Sequence, residues 1–210
     1  MPTFFECLSQ RCPQNESLQR IAASCRDALS SIVRASNKKS MTSYRCLHCG
    51  QHHNGIPAFH ADRPTPYWDV PIDKRESDVF LTSDSCVIAD RFFFIHGCLE
   101  IPIHGIDDVF TWGIWVSLKE ENFFIWQDNY DVSKRSQIGP FFGWLCTKLP
   151  IYPDTLHLKT FVHLRDDGIR PRIELEMTDH PLSKEQHDGI SVKRAHELVH
   201  LAQDASSAER

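Results

Sequence analysis

No stretch of this 210-residue chain approaches the roughly 18 to 20 consecutive apolar residues that a membrane helix requires. Residues 1–10 also lack the apolar centre of a secretion signal. A membrane is therefore not an expected partner, and the cytoplasm is the expected location. Basic charge is in short supply as well: 23 Lys and Arg face 28 Asp and Glu, giving a formal charge of −5 and a pI near 6.2. Nothing in that balance draws the chain onto phosphate backbones, so nucleic acid is not expected either. There is no Gly-rich phosphate loop, no nucleophile elbow and no second CxxC.

What is present suits a folded protein. The hydrophobic fraction is 41% and the charged fraction 24%, with 13 Phe and 5 Trp to furnish a core. The length fits one main domain. Eight cysteines in a reducing compartment read as small buried groups or metal ligands rather than disulfides.

Residues 1–43 differ from the rest, with six Lys or Arg against three acids and no strand-like run. They read as an N-terminal extension with an amphipathic helix expected over 16–35, and Met41 is an alternative natural start. Residues 44–205 read as a single α+β domain and 206–210 as a tail. Gly55–Asp73, with four prolines, reads as a wrapping loop. Strands are expected at Cys86–Ala89, Phe92–His96, Leu99–His104 and Val109–Lys119, forming an antiparallel meander. In the last of these Phe110, Trp112, Ile114, Val116 and Leu118 share a core face, and Trp115 lies on the other, where it could line a pocket.

A short helix is expected over Glu120–Tyr130, whereas the aromatic, Gly-broken Gly139–Leu149 fits neither class cleanly. Thr155–Arg165 and Ile173–Met177 alternate on either side of Asp166-Asp167-Gly168, so they should pair, with Lys159, His163 and Arg165 opposite Arg172, Glu174 and Glu176. Thr178–Pro181 reads as a corner in which Asp179 caps a short helix stopped at Gly189. Ser191 caps a last helix carrying Val192, Ala195, Leu198, Val199 and Ala202 on one stripe.

The sharpest chemical signal is Cys46-Leu47-His48-Cys49-Gly50. Two thiolates three residues apart, followed by a glycine able to take left-handed backbone angles, let one tight turn aim both sulfurs at one metal ion. A redox pair and two idle thiols are the other readings of the same residues. A structural zinc needs four ligands. His53, close behind Cys49, and Cys86, at the start of the first strand, are the preferred completions, with His52 and His60 as substitutes. A competitor lies in the last helix, where His196-Glu197-Leu198-Val199-His200 matches the HExxH of zinc peptidases. Those enzymes draw a third ligand from downstream, and only Leu201–Arg210 remain, so the motif is read as structural.

Several segments together resemble a bacterial family of unknown function, DUF2199. They are Cys46-x-x-Cys49-Gly50-x-x-His53, Asp84-x-Cys86, Gly97-x-Leu99-Glu100-Ile101-Pro102 and Trp112-Gly113-x-Trp115-Val116-Ser117, then Phe142-Gly143-Trp144-Leu145, Leu149-Pro150-x-Tyr152-Pro153-Asp154-Thr155 and Thr178-Asp179-His180-Pro181-Leu182. The resemblance runs from about Tyr44 to His200. It implies one domain, favours Cys46, Cys49, His53 and Cys86 as the metal group, and implies no fixed HExxH.

The reading of the whole is an α+β fold: an antiparallel sheet with a short central helix, a C-terminal helix over one face and an N-terminal zinc-knuckle-like turn. The expected function is that of a cytoplasmic binding or accessory domain stabilised by zinc, without catalysis. The alternatives are a zinc hydrolase using residues 196–200 and an immunity-type inhibitor whose acidic surface meets a basic partner protein.

Overall fold

The computed structural model describes residues 43–46 and 49–208, by backbone alone at 43, 44, 53, 54 and 206–208. The expected helix over 16–35 and the alternative start at Met41 lie outside these residues. The fold is mixed α+β, and its sheet closes on itself.

The described residues begin with a hairpin of β1 (Ser43–Arg45) and β2 (His52–Asn54), which among the described strands pair with each other alone. β3 (Phe59–His60) follows, and two 3-10 turns and the short α1 (Arg75–Asp78) lead into β4 (Val79–Leu81) and β5 (Ser85–Ile88). Two long strands, β6 (Phe92–Pro102) and β7 (Val109–Leu118), precede α2 (Glu120–Asp128). β8 (Phe141–Leu145), β9 (Lys159–His163) and β10 (Arg172–Leu175) then lead to α3 (Pro181–Asp188) and α4 (Val192–Ala208).

The meander is there, with antiparallel neighbours from β4 through β10. It does not stay open. Arg172 of β10 pairs in parallel with Cys98 of β6, and the Cys98 amide donates to the Pro171 carbonyl at 2.8 Å. With β6 and β7 also paired, strands β6 to β10 form a five-stranded barrel, extended by β3 on one side and by β5 and β4 on the other. The two runs read as separate strands, Phe92–His96 and Leu99–His104, are therefore one. Gly97 marks the site of closest approach, not a turn: a Cβ there would stand 2.6 Å from the Ile173 side chain.

Alternation along the strands builds two cores. Phe93, Ile95, Leu99 and Ile101 of β6 and Phe110, Trp112, Ile114, Val116 and Leu118 of β7 point into the barrel. Phe123 and Trp126 of α2 and Ala195, Leu198, Val199 and Ala202 of α4 join this core. Burying one such Phe or Leu is worth about 1.5–3 kcal/mol. On the outer face Cys86, Ile88, Phe94, Trp115 and Cys146 form a second cluster under Ala61, Val70, Val79 and Leu81. Trp115 is thus sealed at 1% exposure, its indole N–H donating to the Ala61 carbonyl at 2.8 Å, because the 61–70 loop lies over the face that alternation alone assigns to solvent.

The loops are held by polar groups. Buried Arg135 donates to the carbonyls of Asn129, Tyr130, Arg165 and Ile169 at 2.8–3.2 Å, joining the segment after α2 to the β9–β10 turn. At the start of α3 the cap is His180, whose Nδ1 accepts from the Leu182 amide at 3.2 Å. Asp179, expected to cap, points to solvent and meets Lys184 at 2.8 Å instead. Ser191 does cap α4, accepting from the Arg194 amide at 3.1 Å.

Candidate metal centre

The β1–β2 ladder runs Ser43↔Asn54, Tyr44↔His53 and Arg45↔His52. It is continued by the Cys46 amide donating to the Gln51 carbonyl at 2.8 Å, and closed by the Gly50 amide donating back to the Cys46 carbonyl at 2.9 Å. Gly50 holds φ +71°, the left-handed region that a side chain disfavours. Arg45 Nε fastens the turn by donating to the Gly50 carbonyl at 3.1 Å. Local sequence thus suffices to bring the two cysteines of the CxxC to one side of a tight turn.

The third donor comes from the far end of the chain. His200, on α4, sets Nε2 3.2 Å from the Cys46 sulfur, and the donor atoms of Cys46, Cys49 and His200 all lie within 4.8 Å of one another. Zinc bound tetrahedrally at about 2.3 Å from sulfur and 2.0 Å from nitrogen separates its ligand atoms by roughly 3.5–3.8 Å, so small side-chain adjustments fit this group to one ion. Two thiols and an imidazole are also the donors a borderline-soft ion prefers. Cys46 and Cys49 differ in access: Cys46 is 3% exposed and Cys49 is at the surface.

The residues read from sequence fall in different places. Cys46 and Cys49 are brought together. His53 has its backbone in β2 opposite Tyr44, and its side chain lies outside the described residues. Cys86 is not in the group: it is fully buried in the outer cluster, where burial pushes its thiol up to about 12. Among the substitutes, His60 meets Asp62 at 3.5 Å, and neither it nor His52 joins the three donors.

Of the HExxH, only His200 takes part. His196 is buried at 2% exposure, and the Glu197 carboxylate faces Arg194 at 3.6 Å and Lys193 at 3.9 Å. Weighing the two histidines as a pair missed His200 as a lone candidate donor beside the two cysteines. Its signal was a histidine beside the buried stripe of the last helix, and only the packing of the hairpin against α4 gives that signal meaning.

Other surfaces offer less. A hollow of about 110 Å³ between β3, residues 147–151 and α4 is smaller than the roughly 300–1,000 Å³ of ordinary ligand pockets. The polar face of β9 and β10 is neutralised within itself by Lys159–Glu176 at 3.3 Å, His163–Glu174 at 3.0 Å and Arg172–Glu174 at 3.0 Å. Arg165, expected to join it, turns to Glu100 at 2.6 Å. No helix among the described residues is long and apolar enough to cross a membrane.

A small α+β barrel with a Cys-Cys-His group clamped between its first hairpin and its last helix is a domain with a candidate metal centre. The chain belongs to the family described as an uncharacterized protein conserved in bacteria (DUF2199), whose model matches residues 45–190. The match begins one residue before Cys46 and ends before His200. No curated protein and no solved structure matches the chain.

Proposed function

We propose that the protein is a zinc-stabilised binding or accessory domain in which Cys46, Cys49 and His200 hold the ion and thereby fix the hairpin to α4. The observation that carries this is the convergence of three metal-type donors from residues about 150 positions apart, in a hairpin too short to stand alone in water. The fourth ligand in this reading is His53. The ladder puts Cys46↔Gln51 and Tyr44↔His53 two residues apart along the hairpin, so positions 46 and 53 share a face. The role is structural, because binding energy for the ion then enters folding directly.

The binding role rests on two features. Phe142, Trp144 and Phe161 stand exposed beside one another on β8 and β9, with Phe142 edge-on to Trp144 at 5.1 Å. An exposed aromatic group of this kind favours a protein partner, and the charge of −5 favours a basic one, as an immunity-type inhibitor would meet.

Metal content of purified protein tests the centre. Wild type should carry about one zinc per chain, and Cys46→Ser and His200→Ala should each lose most of it. His196→Ala and Glu197→Gln should keep it. Zinc retained in His200→Ala but lost in His196→Ala would sink this reading and favour the hydrolase one.

A further inference from the structure

The cysteines of this chain are not equally placed for oxidation. Cys86 and Cys146 are sealed in the outer cluster, at 0% and 5% exposure, and burial pushes both thiols up. Cys98 is half-buried on β6 and is pushed up for the same reason. Cys49 alone among the described cysteines is exposed, and its sulfur sits within 4.8 Å of that of Cys46. On the metal reading both of these sulfurs are donors to one ion, whereas the other three described cysteines lie outside the group.

We propose that the Cys46–Cys49 pair is an oxidation site at which hydrogen peroxide converts the metal clamp into a disulfide and frees the hairpin from α4, an inference that rests on the metal reading above. The chemistry balances with peroxide as the oxidant. The exposed Cys49 thiolate attacks one peroxide oxygen, the O–O bond breaks, and the leaving hydroxide takes a solvent proton to become water. The Cys46 thiolate then attacks the Cys49 sulfenic sulfur, the S–S bond forms, and the second hydroxide leaves and is protonated. The two sulfurs lose two electrons, the peroxide becomes two waters, and the ion loses both sulfur donors.

The structure makes the step consequential for two reasons. A disulfide needs its sulfurs about 2.05 Å apart, so both must turn toward each other and away from the ion. Cys46 is also in contact with His200, so turning its sulfur removes a contact between the first hairpin and the last helix. The CxxC turn brings the two residues close enough for this rotation to be local. Burial assigns the roles: peroxide reaches Cys49 first, and Cys46 resolves it.

The test uses the full chain loaded with zinc and treated with hydrogen peroxide. A chromogenic chelator reads zinc release, peptide mapping reads the bridge, and amide exchange reads the hairpin. About one zinc should leave for each pair of thiols lost, with a 46–49 bridge, faster exchange at residues 43–54, and reversal by a dithiol plus zinc. Cys49→His keeps a ligand at that position but has no sulfur to bridge, so it should hold zinc and resist release by about tenfold or more. Cys86→Ser should behave as wild type. Release accompanied by a bridge to another cysteine, or zinc retained while thiols are consumed, overturns the inference and leaves the metal reading intact. A wild-type protein that takes up no zinc overturns both.

Discussion

Inside the barrel β6 and β7 together bury nine large apolar side chains, whereas β1 and β2 are only three residues long each and the described side chains there, Arg45 and His52, are polar and exposed. The barrel is held by area removed from water and by strands that pair on both edges. The hairpin meets α4 at Cys46, Cys49 and His200. A two-stranded ribbon without an apolar face is marginal in water, so it gains a fixed position only from a specific link to something already folded. One chain therefore contains a region whose order is intrinsic and a region whose order, on the proposed reading, is conditional on an ion, and the Cys-Cys-His group lies between them.

The largest expected effect falls on the intrinsic side. Arg135→Leu removes a buried guanidinium that donates to four carbonyls and should lower unfolding free energy by about 3 kcal/mol or more, read by urea titration, with zinc content unchanged. A loss below about 1 kcal/mol would mean that the loops, not the guanidinium, carry the packing there.

Acid should also act on the barrel. Burial lowers the pKa of His96, with the Arg170 charge adding to the shift; its ring lies stacked on Trp115 at 4.8 Å and its Nδ1 donates to the Ser83 carbonyl. The imidazole stays neutral in the fold but takes a proton readily in the unfolded chain. Its contribution is whole above the ordinary value of 6.5 and is lost as pH falls from there toward the folded value. For Asp84, burial raises the pKa, but hydrogen bonds from Ser83 and Arg170 outweigh it and leave the carboxyl below the ordinary 3.8, so a second loss follows at lower pH. His96→Gln should flatten urea midpoints between pH 6.5 and 5 while keeping the Asp84 limb. A limb unchanged in His96→Gln assigns it to another group.

Cys46→Ser tests the comparison itself. Amide exchange should accelerate at residues 43–54 and in the last turns of α4, while the global unfolding free energy moves by about 1 kcal/mol or less. Loss of protection throughout β6 and β7 would show that the two regions fold as one. The smallest effect belongs to the exposed pair Lys159–Glu176, where Lys159→Ala should change stability by about 0.5 kcal/mol or less in the same titration.

Much of the intrinsic region was legible in the sequence. The inward set on β7, the β9–β10 pairing across Asp166-Asp167-Gly168, the stop at Gly189 and the Ser191 cap all follow from period, turn chemistry and capping, which act within a few residues. Closure of the barrel was not legible, because the Cys98↔Arg172 pairing leaves no periodic trace, and Gly97 looks the same whether it turns a chain or admits a neighbour. The outer face of β7 misled for a related reason: nothing in Trp115 announces a loop lying over it. At the candidate metal centre the two cysteines were legible because one turn contains them. His200 was not, because its role depends on where a helix lands.

The single parallel contact that shuts the barrel also has a meaning in time. As the chain is synthesised, β6 finds β5 and β7 almost at once, but β10 emerges roughly seventy residues after Cys98. Until then the Gly97–Cys98 edge of β6 offers bare amides and carbonyls to any strand that passes, including one from a neighbouring nascent chain. Slow translation between Pro102 and Arg172, or crowding of ribosomes on one message, should therefore be the condition under which this protein aggregates, even where the finished barrel is stable.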